Sequence, residues 1–205
     1  MRSSGPIVSQ TERDTRQAIV DTAERFFRDI GYQKTTVADI AKSLRMSPAN
    51  VYRFFDSKKS INEAVLDRYK REQEDAIIAI ADEDRPAVDR LRDMLATSSR
   101  LNAARFSDHA KMQEMVCAAM EESWDAIIAH IERFDIVLRR VVADGIARGE
   151  FRQIDPAHAT GCIRMAMIRF MHPLLINQCE CLPGPSVDEM IAFVLSALQA
   201  RPASA

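Results

Sequence analysis

Glycine and proline are scarce in this chain of 205 residues, at six and eight. A collagenous or low-complexity chain needs far more of both, so neither class applies. Long apolar runs are missing as well. No stretch of about 18 uncharged apolar residues occurs, which excludes a membrane-spanning helix. Residues 1–10 hold one arginine and no apolar core of signal-peptide length, so the expected compartment is the cytoplasm. Cysteine is limited to Cys117, Cys162, Cys179 and Cys181, all in the second half. That distribution does not make a disulfide framework in a chain this long. A strong excess of one charge is absent too, with 28 Lys/Arg against 30 Asp/Glu. Because 47% of the residues are hydrophobic and the net charge is only −2, disorder is excluded. The length suffices for one large domain or two small ones.

The small net charge conceals an uneven distribution. Residues 1–70 carry 13 Lys/Arg and 9 Asp/Glu, and residues 71–205 carry 15 and 21, so +4 at the front meets −6 at the rear. Only the front is suited to a polyanion.

Helical periodicity dominates the pattern, and no period-2 run of β-branched residues is long enough for a strand. The predicted fold class is all-α. Ile19, Ala23, Phe26, Phe27 and Ile30 share one helix face, and Gly31 is placed to end that helix. Thr36 with Asp39 three residues later opens a second helix over about 37–44. Ser47-Pro48 opens a third, with proline at the first helical position where its missing N–H is not needed. The third is predicted to run to about Phe55, and a fourth from about Ser57 to Ala81. Beyond Asp82–Pro86, helices are predicted at about 86–104, 108–119, 121–148, 155–176 and 186–200, with a loop at Cys181–Pro185.

Thr36 to Phe55 reads as a helix-turn-helix. Two such short helices bury little alone, and the arrangement is useful when the first braces the second in a DNA major groove. Ile40, Ala41, Leu44, Met46, Val51 and Phe55 have the spacing of an inner face. That leaves Ser47, Pro48, Ala49, Asn50, Tyr52 and Arg53 outside. Asn50 can pair bidentately with adenine and Arg53 with guanine, while Pro48 and Ala49 suit a thymine methyl. Thr36, Ser47, Tyr52 and Lys58 are donors suited to phosphate oxygens.

Phe27-x-x-x-Gly31-Tyr32-x-x-Thr35-Thr36-Val37-x-x-Ile40-Ala41, followed by Ser47-Pro48-Ala49-x-Val51-Tyr52-x-Phe54-Phe55-x-x-Lys58, resembles the DNA-binding domain of the TetR family of transcriptional regulators. The resemblance covers about residues 14–60. It implies a flexible arm over 1–13, a three-helix DNA-binding domain over 14–60, and a larger helical domain over 61–205 that dimerises and binds a small effector. By position it puts Thr36, Ser47, Tyr52 and Lys58 against phosphates, and Pro48, Ala49, Asn50 and Arg53 nearest base edges. Arg45-Met46 stands where the family usually has Gly-Val. A non-glycine residue in a left-handed turn costs roughly 1 kcal/mol, so Arg45 is either strained or reaches DNA itself.

In the rear domain, Met94, Phe106, Met112, Met115, Met120, Trp124 and Ile128, with Met165, Ile168 and His172, form a Met-rich candidate set for an apolar effector site. Any one of them alone reads better as plain core, but methionine adapts to varied apolar ligands and the resemblance raises the pocket reading to equal standing. Ile163, Met167, Phe170, Leu174, Ile191, Val194, Leu195 and Leu198 form wide apolar faces on the last two predicted helices. A two-fold four-helix interface would bury them and set two recognition helices about 34–36 Å apart.

Enzyme signatures are missing. No histidine has Glu three residues before it, and no Gly-x-Ser-x-Gly, P-loop or dinucleotide turn occurs. No cofactor or metal is expected. The expected function is a homodimeric repressor, released from a palindromic DNA operator by a small apolar effector. Two rivals are a metal or redox regulator using Cys179 and Cys181, and a ligand-binding helical protein without DNA function.

Overall fold

The computed structural model describes residues 9–106, 110–178 and 183–199. Among them the chain is all-α, as its periodicity predicts, with one isolated bridge between Phe151 and Gln199. Helix α1 (Gln10–Ile30) starts on a capping box, in which Ser9 and Glu12 satisfy each other's backbone amides. It begins inside the expected 1–13 arm. It ends at Gly31, whose φ of 99° suits a residue without Cβ. Helices α2 (Val37–Ser43) and α3 (Pro48–Tyr52) follow, capped by Thr36 and Ser47. Between them Arg45 has φ 54°, the left-handed turn its position implies.

The third helix is shorter than predicted. After Tyr52 the amides of Phe54 and Phe55 both turn back to the Val51 carbonyl, which carries the Phe55 ring inward, where it is 3% exposed. The Arg16 guanidinium lies 4.4 Å from that ring's centroid. Burying Phe55 outweighs one further helical turn. Helix α4 (Lys58–Ala81) then starts from its Ser57 cap.

The rear comprises α5 (Ala87–Phe106), α6 (Ala110–Glu122), α7 (Trp124–Ala147), α8 (Pro156–Met171), α9 (Pro173–Gln178) and α10 (Val187–Leu198). The single helix predicted over 155–176 is broken. Pro173 has no amide proton and disfavours helical geometry before it, and His172 accordingly sits at φ −81° and ψ 123°. The predicted loop at Cys181–Pro185 falls partly outside the described residues. Gly145 on α7 lets the Phe151 ring approach to 2.3 Å from where a Cβ would stand.

Two apolar cores result. The first joins α1–α3 to Ile61, Val65 and Tyr69 of α4 and to Phe106, Met112, Met115 and Val116. The second gathers Ile77 and Ala81 of α4 with α5, α7, α8 and α10. Helix α4 therefore belongs to both, and the front core extends past residue 60 into α6.

Candidate functional site

The front end of the molecule presents α2, its turn and α3. Val37, Ile40, Ala41 and Val51 are buried inward, while Thr36, Arg45, Ser47, Pro48, Ala49, Tyr52 and Arg53 are exposed and Asn50 is half-buried. The Thr36 hydroxyl accepts the Asp39 amide at 3.2 Å and donates to its carboxylate at 2.6 Å. That hydroxyl and the Thr36 amide hold the Asp39 carboxyl below its ordinary value. Ser47 likewise accepts the Asn50 amide at 3.2 Å, leaving its hydroxyl proton uncommitted to that bond. Residues 36–59 carry five Lys/Arg against two Asp/Glu, which makes this end attractive to an anionic surface.

Lys58 departs from its expected freedom. Its ammonium donates to the Tyr32 carbonyl at 2.9 Å and lies 4.3 Å from the Tyr32 ring centroid. It ties the start of α4 to the turn between α1 and α2, so it has a structural use that sequence reasoning missed.

A second feature lies midway along α4. Helices α4 to α8 and the α8–α9 link enclose a cavity of about 370 Å³, a volume typical of small-molecule sites. Of the ten expected effector residues, Phe106, Met120, Trp124, Ile168 and His172 line it. The other five do not. Met94, Met112 and Met115 are fully buried in the cores, while Ile128 and Met165 are 37% and 57% exposed. Periodicity identifies an apolar face but not which buried side meets a void. Ile128 illustrates this, because its neighbours Ile127 and Ile131 line the cavity and it does not.

Polar wall residues also escaped the sequence reading, among them Lys70, Gln73, Asn102, Arg105 and Arg164. The usable signal was polar residues on apolar stripes: Gln73, Asn102 and Arg105 all sit on buried helix faces. Arg105 donates to the Tyr69 carbonyl at 3.0 Å and to Glu72 at 2.5 Å. His130 Nδ1 lies 2.9 Å from Glu74, which also accepts from Arg133 at 2.8 Å. Burial pushes His130 down, although the Glu74 carboxylate opposes it. Burial also pushes His172 down. Both imidazoles are therefore neutral near pH 7.

The expected dimer residues need correcting. Ile163, Met167, Ile191, Val194, Leu195 and Leu198 are each no more than 5% exposed inside one protomer's second core. Phe170 and Leu174 are half-buried. A helix on a small core must first bury its most apolar stripe there, so only what remains outside is left for a partner. On α8 and α10 the exposed apolar side chains are Met165 and Phe193, at 57% and 68%. Cys179 and Cys181 lie outside the described residues. Among those described, Cys117 and Cys162 are exposed free thiols, and no group of three or more His, Cys, Asp or Glu could hold a metal.

Residues 19–65 match the family model for bacterial regulatory proteins of the tetR family, and residues 87–183 match the tetracyclin repressor-like C-terminal domain. The chain belongs to the TetR family of transcriptional regulators. Membership makes it a regulator rather than an enzyme. It is similar to the biofilm operon icaADBC HTH-type negative transcriptional regulator IcaR of Staphylococcus aureus, 48% identical over 48 residues. That stretch is 23% of this chain and spans only about a quarter (26%) of the relative. The whole fold is similar to a putative transcriptional regulator from Saccharomonospora viridis in complex with choline, at TM-score 0.67 and 22% identity, covering 92% of this chain and 100% of that one. It is also similar to a TetR/AcrR regulator from Thermobifida fusca, at TM-score 0.62 and 22% identity, covering 89% and 95%.

In this TetR-family chain two helices connect cavity and front. Helix α4 carries Leu66, Tyr69, Lys70 and Gln73 at the cavity and Lys58 at the turn below α2. Helix α6 carries Val116, Ala119 and Met120 at the cavity. Its other end grips the end of α1: Lys111 donates to the Asp29 carbonyl, and Glu114 accepts the Gln33 amide at 3.1 Å. The Glu114 carboxylate comes within 2.8 Å of where a Cβ on Gly31 would stand.

Proposed function

We propose that this regulator is a homodimeric repressor that leaves an inverted-repeat operator when a small, mainly apolar effector fills the cavity. The observation that carries the reading is that α4 and α6 each contribute to the cavity wall and to the seat of the helix-turn-helix. An occupant that separates them moves the recognition helices. Such an effector must bind the released conformation more tightly than the DNA-bound one, since equal affinity shifts nothing. The Staphylococcus aureus relative, described as a negative regulator, supports repression, and the choline complex of the Saccharomonospora viridis protein supports small-molecule binding.

On this reading Thr36, Ser47 and Tyr52 meet phosphates, and Pro48, Ala49, Asn50 and Arg53 lie nearest base edges. Arg45, exposed in its left-handed turn, is within the same positive surface. The copies meet through the outer faces of α8 and α10. There Met165 and Phe193 stand among the small exposed residues Cys162, Ala192, Ser196 and Ala197, which allow close helix approach.

Selection of duplexes from fragmented genomic DNA by the purified chain tests this. The expected product is an inverted repeat with half-sites about one helical turn apart. The paired substitutions Met165→Asp and Phe193→Asp should yield a monomer by light scattering that no longer retains the repeat. Enrichment of unrelated sequences, or a dimer unaffected by the two substitutions, would refute the operator or the interface respectively.

A further inference from the structure

Among the described residues, twenty line the cavity and the charged side chains are all of one sign: Lys70, Arg105 and Arg164, with no Asp or Glu. Each of these cations has a carboxylate neighbour. Arg105 is held by Glu72 and the Tyr69 carbonyl, Arg164 Nε lies 3.2 Å from Asp135, and Lys70 donates to Asp67 at 3.3 Å. The Lys70 side chain is 17% exposed and that of Asp67 52%. An ammonium has three protons, so that one bond leaves Lys70 donors to offer.

Gln73 adds the second element. It stands three residues along α4 from Lys70, so the two share a helix face. It is 6% exposed and lines the cavity. A largely buried side-chain amide on a cavity wall offers a ligand both a donor and an acceptor. His130 is also on the wall; burial pushes its imidazole down, the Glu74 carboxylate opposes that, and the charge of Lys70 adds a smaller downward push. The remaining wall is Phe106, Met120, Trp124, Ile131, Phe134 and Ile168, which asks for an apolar body.

We infer that the effector is an amphipathic carboxylic acid whose carboxylate is bound by Lys70 and Gln73 and whose apolar body lies among the aromatic and aliphatic wall residues. This rests on the reading that the cavity is the effector site. The Lys70 ammonium and the Gln73 amide nitrogen are donors, which a carboxylate accepts from as a pair. A cationic ligand would find no acid among the described wall residues and would face Lys70. A neutral one would satisfy Gln73 but leave Lys70 with Asp67 alone.

Trp124 is the only tryptophan of the chain and lines the cavity, so its fluorescence reports occupancy. Decanoate, methyl decanoate and decylamine, titrated separately below their aggregation limits, compare a negative, a neutral and a positive head on one chain length. Decanoate should bind about tenfold or more tightly than its ester, as expected for a charge-assisted hydrogen bond, and decylamine most weakly. Lys70→Met should bring decanoate down to the affinity of the ester and leave the ester unchanged. If Lys70→Met does not fold, judged by its melting curve, the order of the three probes on the unsubstituted chain decides. An ester or amine that binds as well as the acid overturns the head-group assignment and leaves the effector cavity standing. Failure of all three probes to perturb Trp124 overturns the cavity reading itself.

Discussion

Replacing Asn50 and Arg53 together by alanine should weaken binding to the selected inverted repeat by about a hundredfold or more, with the fold intact. Each bidentate side-chain-to-base contact is worth roughly 1–3 kcal/mol of discrimination, and two per chain are removed. Arg53 is exposed, and it is the backbone amide of Asn50, not its side chain, that donates to the Ser47 hydroxyl at 3.2 Å. Surface substitutions of this kind alter stability by about 0.5 kcal/mol or less. Fluorescence anisotropy on a labelled duplex, beside a melting curve, separates the two quantities. An affinity loss equal on random and selected DNA would show that neither side chain reads bases.

Phe27→Ala should destabilise the front unit by about 3–5 kcal/mol, the usual cost of truncating a buried phenylalanine. Phe27 is 0% exposed, at the centre of the first core, and meets Tyr32 edge-on with ring centroids 5.3 Å apart. Tyr32 in turn carries the Lys58 ammonium through its ring and its carbonyl. The cavity left by the substitution therefore loosens the turn that seats α2 and the start of α4. Urea unfolding should show the loss, and DNA binding should fall with it. The second core contains none of these residues, so the helical signal of the rear should persist to higher urea. A loss under about 1 kcal/mol would mean that α1 is not what anchors the helix-turn-helix.

The front of the molecule was legible in the sequence because its signals are local. Thr36 with Asp39, Ser47 with Pro48, and Gly31 each fix a helix end through neighbours within three or four positions. The left-handed turn at Arg45 was legible only through the family resemblance, which places a glycine there. The rear was legible only as helices. Met94, Met112 and Met115 carry the same periodic signal as Met120, yet only Met120 reaches the cavity. Which buried side meets a void depends on how five helices cross, and no single stripe encodes that.

The interface shows the same limit with the opposite sign. Ile163, Met167, Ile191 and Leu195 are the most apolar positions on α8 and α10, and for that reason the protomer's own core takes them. Met165 and Phe193 are apolar residues left outside, which only the three-dimensional packing shows. The structural contact of Lys58 was not legible because the carbonyl it holds lies 26 residues earlier in the chain. Gln73 was overlooked because a polar residue on an apolar stripe becomes informative only once it is seen to line a cavity.

Analytical ultracentrifugation of the chain with the selected duplex, against the same duplex carrying one intact half-site, tests paired presentation most directly. The account predicts two chains per full duplex, and binding to the half-site duplex weaker by about a hundredfold or more, because the second recognition helix then finds only nonspecific phosphate contacts. One chain per duplex, with equal affinity for the full and the half site, would contradict it.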